Sequence, residues 1–231
     1  MKLFLLSDVH LEHKTKINVE DIPKVDVLIL AGDIGYLNAK NTQTFLARVA
    51  KRFPHVLFVP GNHEYWSKMD DEQMEEVCAE YGVVLLQNNV VEIEGVTFAG
   101  TTLWSRLDGV TSKAVSKQND FRFIPDFCTK EWAKRFHTAQ LFLDSVEVDV
   151  VITHHAPLMQ AIPPQFKGDP SSGLYATNML PLKHKPKIWC FGHTHHPFCK
   201  TIQGTMFVSN PYIDVDYMPH SAALQFKILS L

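Results

Sequence analysis

Apolar residues recur along the chain in two patterns, short strand-like runs and the one-sided spacing of helices. Each run leads into a polar turn, which is typical of buried strands. The runs lie at residues 3–6, 25–30, 56–59, 148–152, 188–191 and 206–208. Amphipathic helices are predicted at residues 42–53, 72–81 and 132–143. The alternation of strand and helix predicts an α/β layered fold.

The middle of the chain has a different pattern. Close-set strands at residues 83–86, 90–93 and 96–99, with turns at Asn88-Asn89 and Glu94-Gly95, predict hairpin pairing. A polar stretch from residue 104 to residue 129 then shows no clear periodicity. Such a stretch forms either a lid or wall over a functional site or an ordinary surface loop. Residues 157–187, rich in Pro, Gly and Ser, predict a second irregular segment with one short helix near residues 174–180.

Composition narrows the class of protein. With 231 residues, 45% of them apolar, the chain suffices for one domain over residues 1–231 with a substantial core. The net charge of -3 lacks the basic excess of a general nucleic-acid binder. The 4 cysteines are too scattered for a disulfide framework or a zinc ribbon. Asp8 and His10 interrupt the N-terminal apolar run early, so we expect a cytoplasmic protein without a membrane span.

Polar side chains that can bind metal follow nearly every predicted core strand, at its carboxyl end. Open α/β sheets place their sites at these ends. The segments are Asp8-Val9-His10, Gly32-Asp33, Gly61-Asn62-His63-Glu64, His154-His155 and Gly192-His193-Thr194-His195. Any one of them is explained as an ordinary turn or helix cap. Their joint occurrence, with histidines concentrated in them, favours one metal centre.

The same ordered segments resemble those of the calcineurin-like metallophosphoesterase family. Residues 100–104, 119–121 and 153–157 are further similar to a small bacterial-type branch of phosphohydrolases. The resemblance implies an α/β fold, a two-sheet mixed β-sandwich flanked by helices in four layers. It also implies hydrolysis of a phosphate ester, either a monoester or a diester, with a small phosphorylated molecule as substrate.

By this resemblance the chain holds two divalent or trivalent metal ions. Asp33 bridges them and is thereby essential to catalysis. The other implied ligands are Asp8, His10 and His195 for one ion and Asn62, His154 and His193 for the second. Nitrogen and oxygen ligands without thiolate favour Mn, Fe, Zn or Co over Ca or Mg. A hydroxide held between the ions would attack phosphorus.

The roles of the adjoining residues follow from the same resemblance. His63 is expected to stabilise the transition state or protonate the leaving oxygen, and to contact substrate together with Asn62. His154 and His155 compete for one ligand position. We favour His154 because it comes first after the strand, so that His155 either lines the substrate pocket or bonds to a carboxylate outside the ligands.

Two departures from the family pattern stand out. Many members carry an acidic residue or Asn where this chain has Tyr36, and Ser209-Asn210-Pro211-Tyr212 lacks the Arg-Gly of the family's ending. Asp120 and Arg122 are open to two readings, a guanidinium near a phosphate or a surface ion pair. The alternative functions are a non-catalytic protein-binding scaffold on the same fold and a protein that holds metal without turnover.

Overall fold

The computed structural model describes residues 1–13, 15–212 and 229–231. Its strands are β1 (Lys2–Leu6), β2 (Val27–Ala31), β3 (His55–Val59), β4 (Val84–Leu85), β5 (Asn89–Ile93), β6 (Val96–Thr101), β7 (Val150–Thr153), β8 (Ile188–Phe191), β9 (Phe198–Ile202), β10 (Thr205–Ser209) and β11 (Leu229–Ser230). Its α-helices are α1 (Lys40–Arg52), α2 (Asn62–Trp66), α3 (Asp71–Glu80), α4 (Ser112–Val115), α5 (Asp120–Phe123), α6 (Thr129–Ser145) and α7 (Ser172–Tyr175). Single 3-10 turns lie at Leu11–His13, Val19–Asp21, Met159–Ala161 and Pro164–Phe166.

The strands form two mixed sheets. The first has the order β11-β1-β2-β3-β4, and the second has the order β5-β6-β7-β8-β10-β9. Strands β1 to β4 are parallel, as are β6, β7, β8 and β10, while antiparallel strands lie at the edges. This architecture confirms the predicted two-sheet mixed sandwich.

Alternate residues of the central strands fill two separate cores. Leu5, Ile29 and Ile152 belong to the apolar layer between the sheets. Their sequence neighbours point outward to the helices, where Phe45 of α1 and Trp132 of α6 pack. A strand with an apolar layer on both sides is apolar throughout, which explains the uninterrupted runs in the sequence.

Several local predictions need correction. The hairpin forms only between β5 and β6, because β4 pairs parallel with β3 in the first sheet. The short helix lies at Ser172–Tyr175 and not at residues 174–180. The polar stretch at residues 104–129 contains the short helices α4 and α5. Strand β9 has mostly exposed side chains, so its sequence lacked the apolar run that would reveal it.

Candidate metal centre

The predicted ligands follow five parallel strands, and the structure brings them together where the two sheets meet. Strands β1, β2 and β3 belong to the first sheet, and β7 and β8 belong to the second. The residues after these strands are Asp8, His10, Asp33, Asn62, His154, His193 and His195. Parallel strands end at one edge of a sheet, which is why residues distant in sequence can share a site.

The backbone at five of these positions is strained. Each has a positive φ in the left-handed region, which residues other than glycine seldom adopt. The angles are 56° at Asp8, 51° at His10, 54° at Asp33, 66° at His193 and 48° at His195. Strained backbone of this kind costs ~1–3 kcal/mol per residue and concentrates at functional sites. Five of the seven predicted ligands therefore lie on strained backbone.

Two glycines permit the close approach of the loops. A Cβ on Gly61 would lie 2.2 Å from Asp33 Oδ1, and one on Gly32 would lie 2.3 Å from His154 Nδ1. Gly32 also has a φ of 82°. A side chain at either position would displace a candidate ligand, so these glycines are required by the site and not merely by the turns.

A first group of ligand atoms belongs to Asp8, His10, Asp33 and His195, all within 4.8 Å of one another. His10 Nε2 lies 3.1 Å from His195 Nε2 and 3.8 Å from Asp33 Oδ2. His195 Nε2 lies 3.4 Å from Asp8 Oδ1. Asp8 is held in place because Ser7 Oγ and the backbone N–H of His193 donate to its carboxylate.

A second group of ligand atoms belongs to Asp33, His154 and His193, again within 4.8 Å of one another. His154 Nε2 lies 3.3 Å from Asp33 Oδ2, 3.1 Å from His193 Nδ1 and 3.1 Å from Asn62 Oδ1. Asp33 is common to both groups. This division matches the one that the family resemblance implies, and it contains His154 rather than His155.

The protonation pattern of these side chains suits cations. His154 Nδ1 lies 2.9 Å from the carbonyl oxygen of Ala31, which can only accept, so Nδ1 carries the proton and Nε2 of the neutral ring offers a lone pair. By the same reasoning Glu12 fixes the proton of His10 on Nδ1, 3.0 Å away. With both rings neutral, Nε2 of His10 and of His154 offer lone pairs to the same region as the Asn62 amide oxygen and the Asp33 carboxylate. Such a set of acceptors fits metal ions, and its mixed nitrogen and oxygen chemistry fits transition metals.

The field of the two aspartates is strong enough to hold protons on buried histidines. Burial lowers the pKa of His10, but the Glu12 hydrogen bond and the charges of Asp33 and Asp8 raise it to about 9. Burial also lowers the pKa of His154, but the charge of Asp33 and its hydrogen bond raise this pKa to about 9. The centre therefore attracts positive charge, and metal ions would compete there with protons.

Glu64 joins the loops after β2 and β3. Its buried carboxylate accepts backbone hydrogen bonds from Gly61 at 2.7 Å, Asp33 at 2.9 Å, Ile34 at 2.8 Å and Gly35 at 3.0 Å. The last member of the Gly-Asn-His-Glu segment thus positions the loop that carries Asp33. It is fully buried and has no contact with the cleft.

Sequence reasoning missed Glu12. Its Oε1 accepts from His63 Nδ1 at 2.7 Å, which leaves His63 Nε2 directed towards Asp33 Oδ2 at 3.9 Å. The carboxylate beside His63 therefore comes from the loop after β1 and not from position 36, where Tyr36 stands. Glu12 lies two positions after His10, and that short spacing was the available signal.

Sequence reasoning also missed the role of Asp120, which is completely buried. Asp120 Oδ1 accepts from Asn62 Nδ2 at 2.8 Å and from Trp66 Nε1 at 2.7 Å. The first bond turns the Asn62 carbonyl towards the second group, and the Trp66 ring stacks on His63 at 3.6 Å. The polar stretch is thus a wall of the site, and Asp120 forms no surface ion pair with Arg122.

His155 lies behind the ligands. It is fully buried, its Nδ1 faces the Thr102 carbonyl oxygen at 3.3 Å, and its ring lies 4.0 Å from that of His193. In this position His155 packs against the His193 ring and does not reach the cleft where a substrate would bind. This position differs from both roles expected for His155, because its ring is buried and its Nδ1 faces a backbone carbonyl rather than a carboxylate.

Other features lie apart from the centre. A cavity of about 440 Å³ between α6 and residues 178–189 contains none of the predicted site residues. Asn210 Nδ2 donates to the Leu5 carbonyl oxygen at 2.7 Å, and the Tyr212 backbone N–H donates to the Ser7 carbonyl oxygen. The segment at residues 209–212, which lacks the family's Arg-Gly, is thus bound beside β1. Among the described residues, no helix has the length and apolar character to cross a membrane.

Comparisons with known proteins bear on the fold and the family of this chain. An uncharacterized protein of Acanthamoeba polyphaga mimivirus is 25% identical, over 92% of this chain and 96% of that protein. The crystal structure of phosphopantetheinyl hydrolase from Mycobacterium tuberculosis is similar in fold, with a TM-score of 0.73 over 99% of this chain and 95% of that chain, at 18% identity. The model of the calcineurin-like phosphoesterase family matches residues 1–197. The chain therefore belongs to the calcineurin-like phosphoesterase family, and the resemblance read from its motifs is confirmed.

Proposed function

We propose that the protein hydrolyses a phosphate ester at a dinuclear centre of Mn, Fe or Zn ions. The observation that carries the proposal is the convergence of acceptor atoms on two points that share Asp33. When bound, two such ions supply an activated water and neutralise charge on the phosphoryl oxygens. Asp8, His10, Asp33 and His195 would hold one ion, and Asp33, Asn62, His154 and His193 would hold the other.

His63 acts on the substrate in this proposal. Its imidazole is 14% exposed, so it reaches the cleft while Glu12 and Trp66 hold the ring from two sides. Glu12 accepts the Nδ1 proton, and Nε2 faces the side of Asp33 that the ions would share. When the ring is protonated on both nitrogens, Nε2 can donate a proton to the departing oxygen or a hydrogen bond to a phosphoryl oxygen.

The proposed substrate is a small phosphorylated molecule. The net charge of -3 gives no general attraction for nucleic acid. Cys78, Cys128 and Cys190 are free thiols, as suits the cytoplasmic location that we propose.

The test compares metal-loaded wild type with Asp33→Asn, His63→Ala and His137→Ala. Substrates are p-nitrophenyl phosphate, bis-p-nitrophenyl phosphate, a nucleotide panel and a phosphopantetheinyl ester, the last because of the fold neighbour's name. We expect Asp33→Asn to lose metal and activity together. His63→Ala should keep both ions and lose ~10²–10⁴-fold in rate, as expected for a general acid.

His137 is an exposed histidine of α6 and serves as the matched control, with rates unchanged. Binding of two ions by wild type without turnover of any ester would favour a metal-holding protein. Absence of both metal and turnover would favour the scaffold alternative.

A further inference from the structure

A smaller cavity, here called the side cavity, opens beside the candidate centre. Its volume is about 270 Å³, and His193 and His195 form one of its walls. Tyr175 forms another wall, and its ring stacks on the His193 imidazole at a centroid distance of 5.1 Å. A group attached to a phosphoryl at the centre would therefore have the side cavity within reach.

The opposite wall of the side cavity is apolar. It consists of Ile162, Pro163 and Phe166, which belong to the irregular segment between β7 and β8. Phe166 is 51% exposed at the rim, so an aromatic ring remains in water until something covers it. Removing such apolar surface from water favours an apolar ligand.

The polar side chains of the side cavity are uncharged apart from the two histidines. The described residues that line it include no Lys, Arg, Asp or Glu. Four of its lining residues carry hydroxyl groups, namely Ser171, Ser172, Tyr175 and Thr194. Thr194 is 7% exposed, and its hydroxyl has no hydrogen-bond partner among the described residues. A second phosphate or a carboxylate would lose its hydration there without gaining a cation in return.

We propose that the side cavity binds the uncharged, apolar organic group of the phosphate ester. This inference rests on the proposed function, because it assumes that the phosphoryl group lies at the centre. A volume of about 270 Å³ gives room for a short alkyl chain or a ring. The preferred substrates are thus esters with a neutral apolar group, and esters with further charge in that group are disfavoured.

The experiment measures the affinity of Mn-loaded protein for n-alkylphosphonates from methyl to decyl by calorimetry. Phosphonates resist hydrolysis, so binding is read separately from turnover. We expect affinity to rise about fourfold per methylene, the equivalent of ~0.8 kcal/mol, and to level off once the side cavity is full. A terminal carboxylate on the chain should abolish the gain.

Phe166→Arg supplies the cation that the side cavity lacks and should reverse the preference, favouring the carboxylate-ended chain. Leu141→Arg is the matched control, because Leu141 is 56% exposed on α6 and does not line the side cavity. Affinity that is independent of chain length, or a preference unchanged by Phe166→Arg, overturns the assignment.

The two proposals fail in different ways. Turnover of esters with flat phosphonate affinities refutes the side cavity alone. Chain-length-dependent binding without turnover of any ester refutes hydrolysis and leaves the apolar ligand site standing.

Discussion

Glu64→Gln tests how the centre is built, because the two side chains have nearly the same shape. In the wild type each carboxylate oxygen of Glu64 accepts two backbone N–H groups. Gln keeps one acceptor oxygen and turns an NH₂ group towards the other two donors. Two hydrogen bonds to a charged group are lost, at ~1.5–3 kcal/mol each, so we expect a loss of ~3–6 kcal/mol. That is a large part of the ~5–15 kcal/mol by which a domain is stable.

The measurement is urea unfolding of metal-free protein at about pH 8. Burial and the charge of Asp33 raise the pKa of Glu64 to about 7, so the carboxylate form predominates there. Because Glu64 holds the Asp33 loop, Glu64→Gln should also weaken binding of both ions. Glu76→Gln, on the exposed face of α3, is the control and should change stability by less than ~0.5 kcal/mol. A loss under ~1 kcal/mol with both ions retained would refute the reasoning.

Three further predictions concern the centre. Asp120→Ala frees the Asn62 amide to rotate, so metal analysis should show weakened binding of one ion. Asp120→Asn keeps an acceptor oxygen and should restore much of that binding. Equal loss of both ions would contradict this prediction. Glu12→Ala should slow esters with poor leaving groups more than p-nitrophenyl esters, because it removes the acceptor that holds His63 for proton donation, and an equal slowing of both would count against it. Metal binding near pH 7.5 should release about two protons from His10 and His154, whose pKa values are raised to about 9, because the ions need their lone pairs. Any proton lost by a metal-bound water adds to this release. Calorimetry in two buffers measures the total, and the share from the imidazoles should disappear well above pH 9.

The strand-end residues could be predicted from the sequence because the governing signal is local. An apolar run followed within a few positions by Asp33 or Asn62 is visible in one short window. The short strand β4 has no such signal, since two residues cannot show which sheet they join. Its pairing with β3 is decided by tertiary packing.

The supporting contacts depend on long-range folding and were therefore missed. Glu12 meets His63 across 51 positions, and Asp120 meets Asn62 across 58 positions. Nothing in the spacing of either acid identifies its partner. The motif containing Asp120 indicated a branch of the family, whereas its contact with Asn62 became apparent only from the structure.

Each of the two ligand groups contains side chains from both sheets, so that each bound ion would link the two sheets of the sandwich. The first group takes His195 from the second sheet, and the second group takes His154 and His193 from it. Neither sheet alone contains a complete ligand set for one ion. A partly folded chain with one sheet formed would thus have only incomplete sets of ligands, and full metal occupancy would report that both halves of the sandwich are assembled.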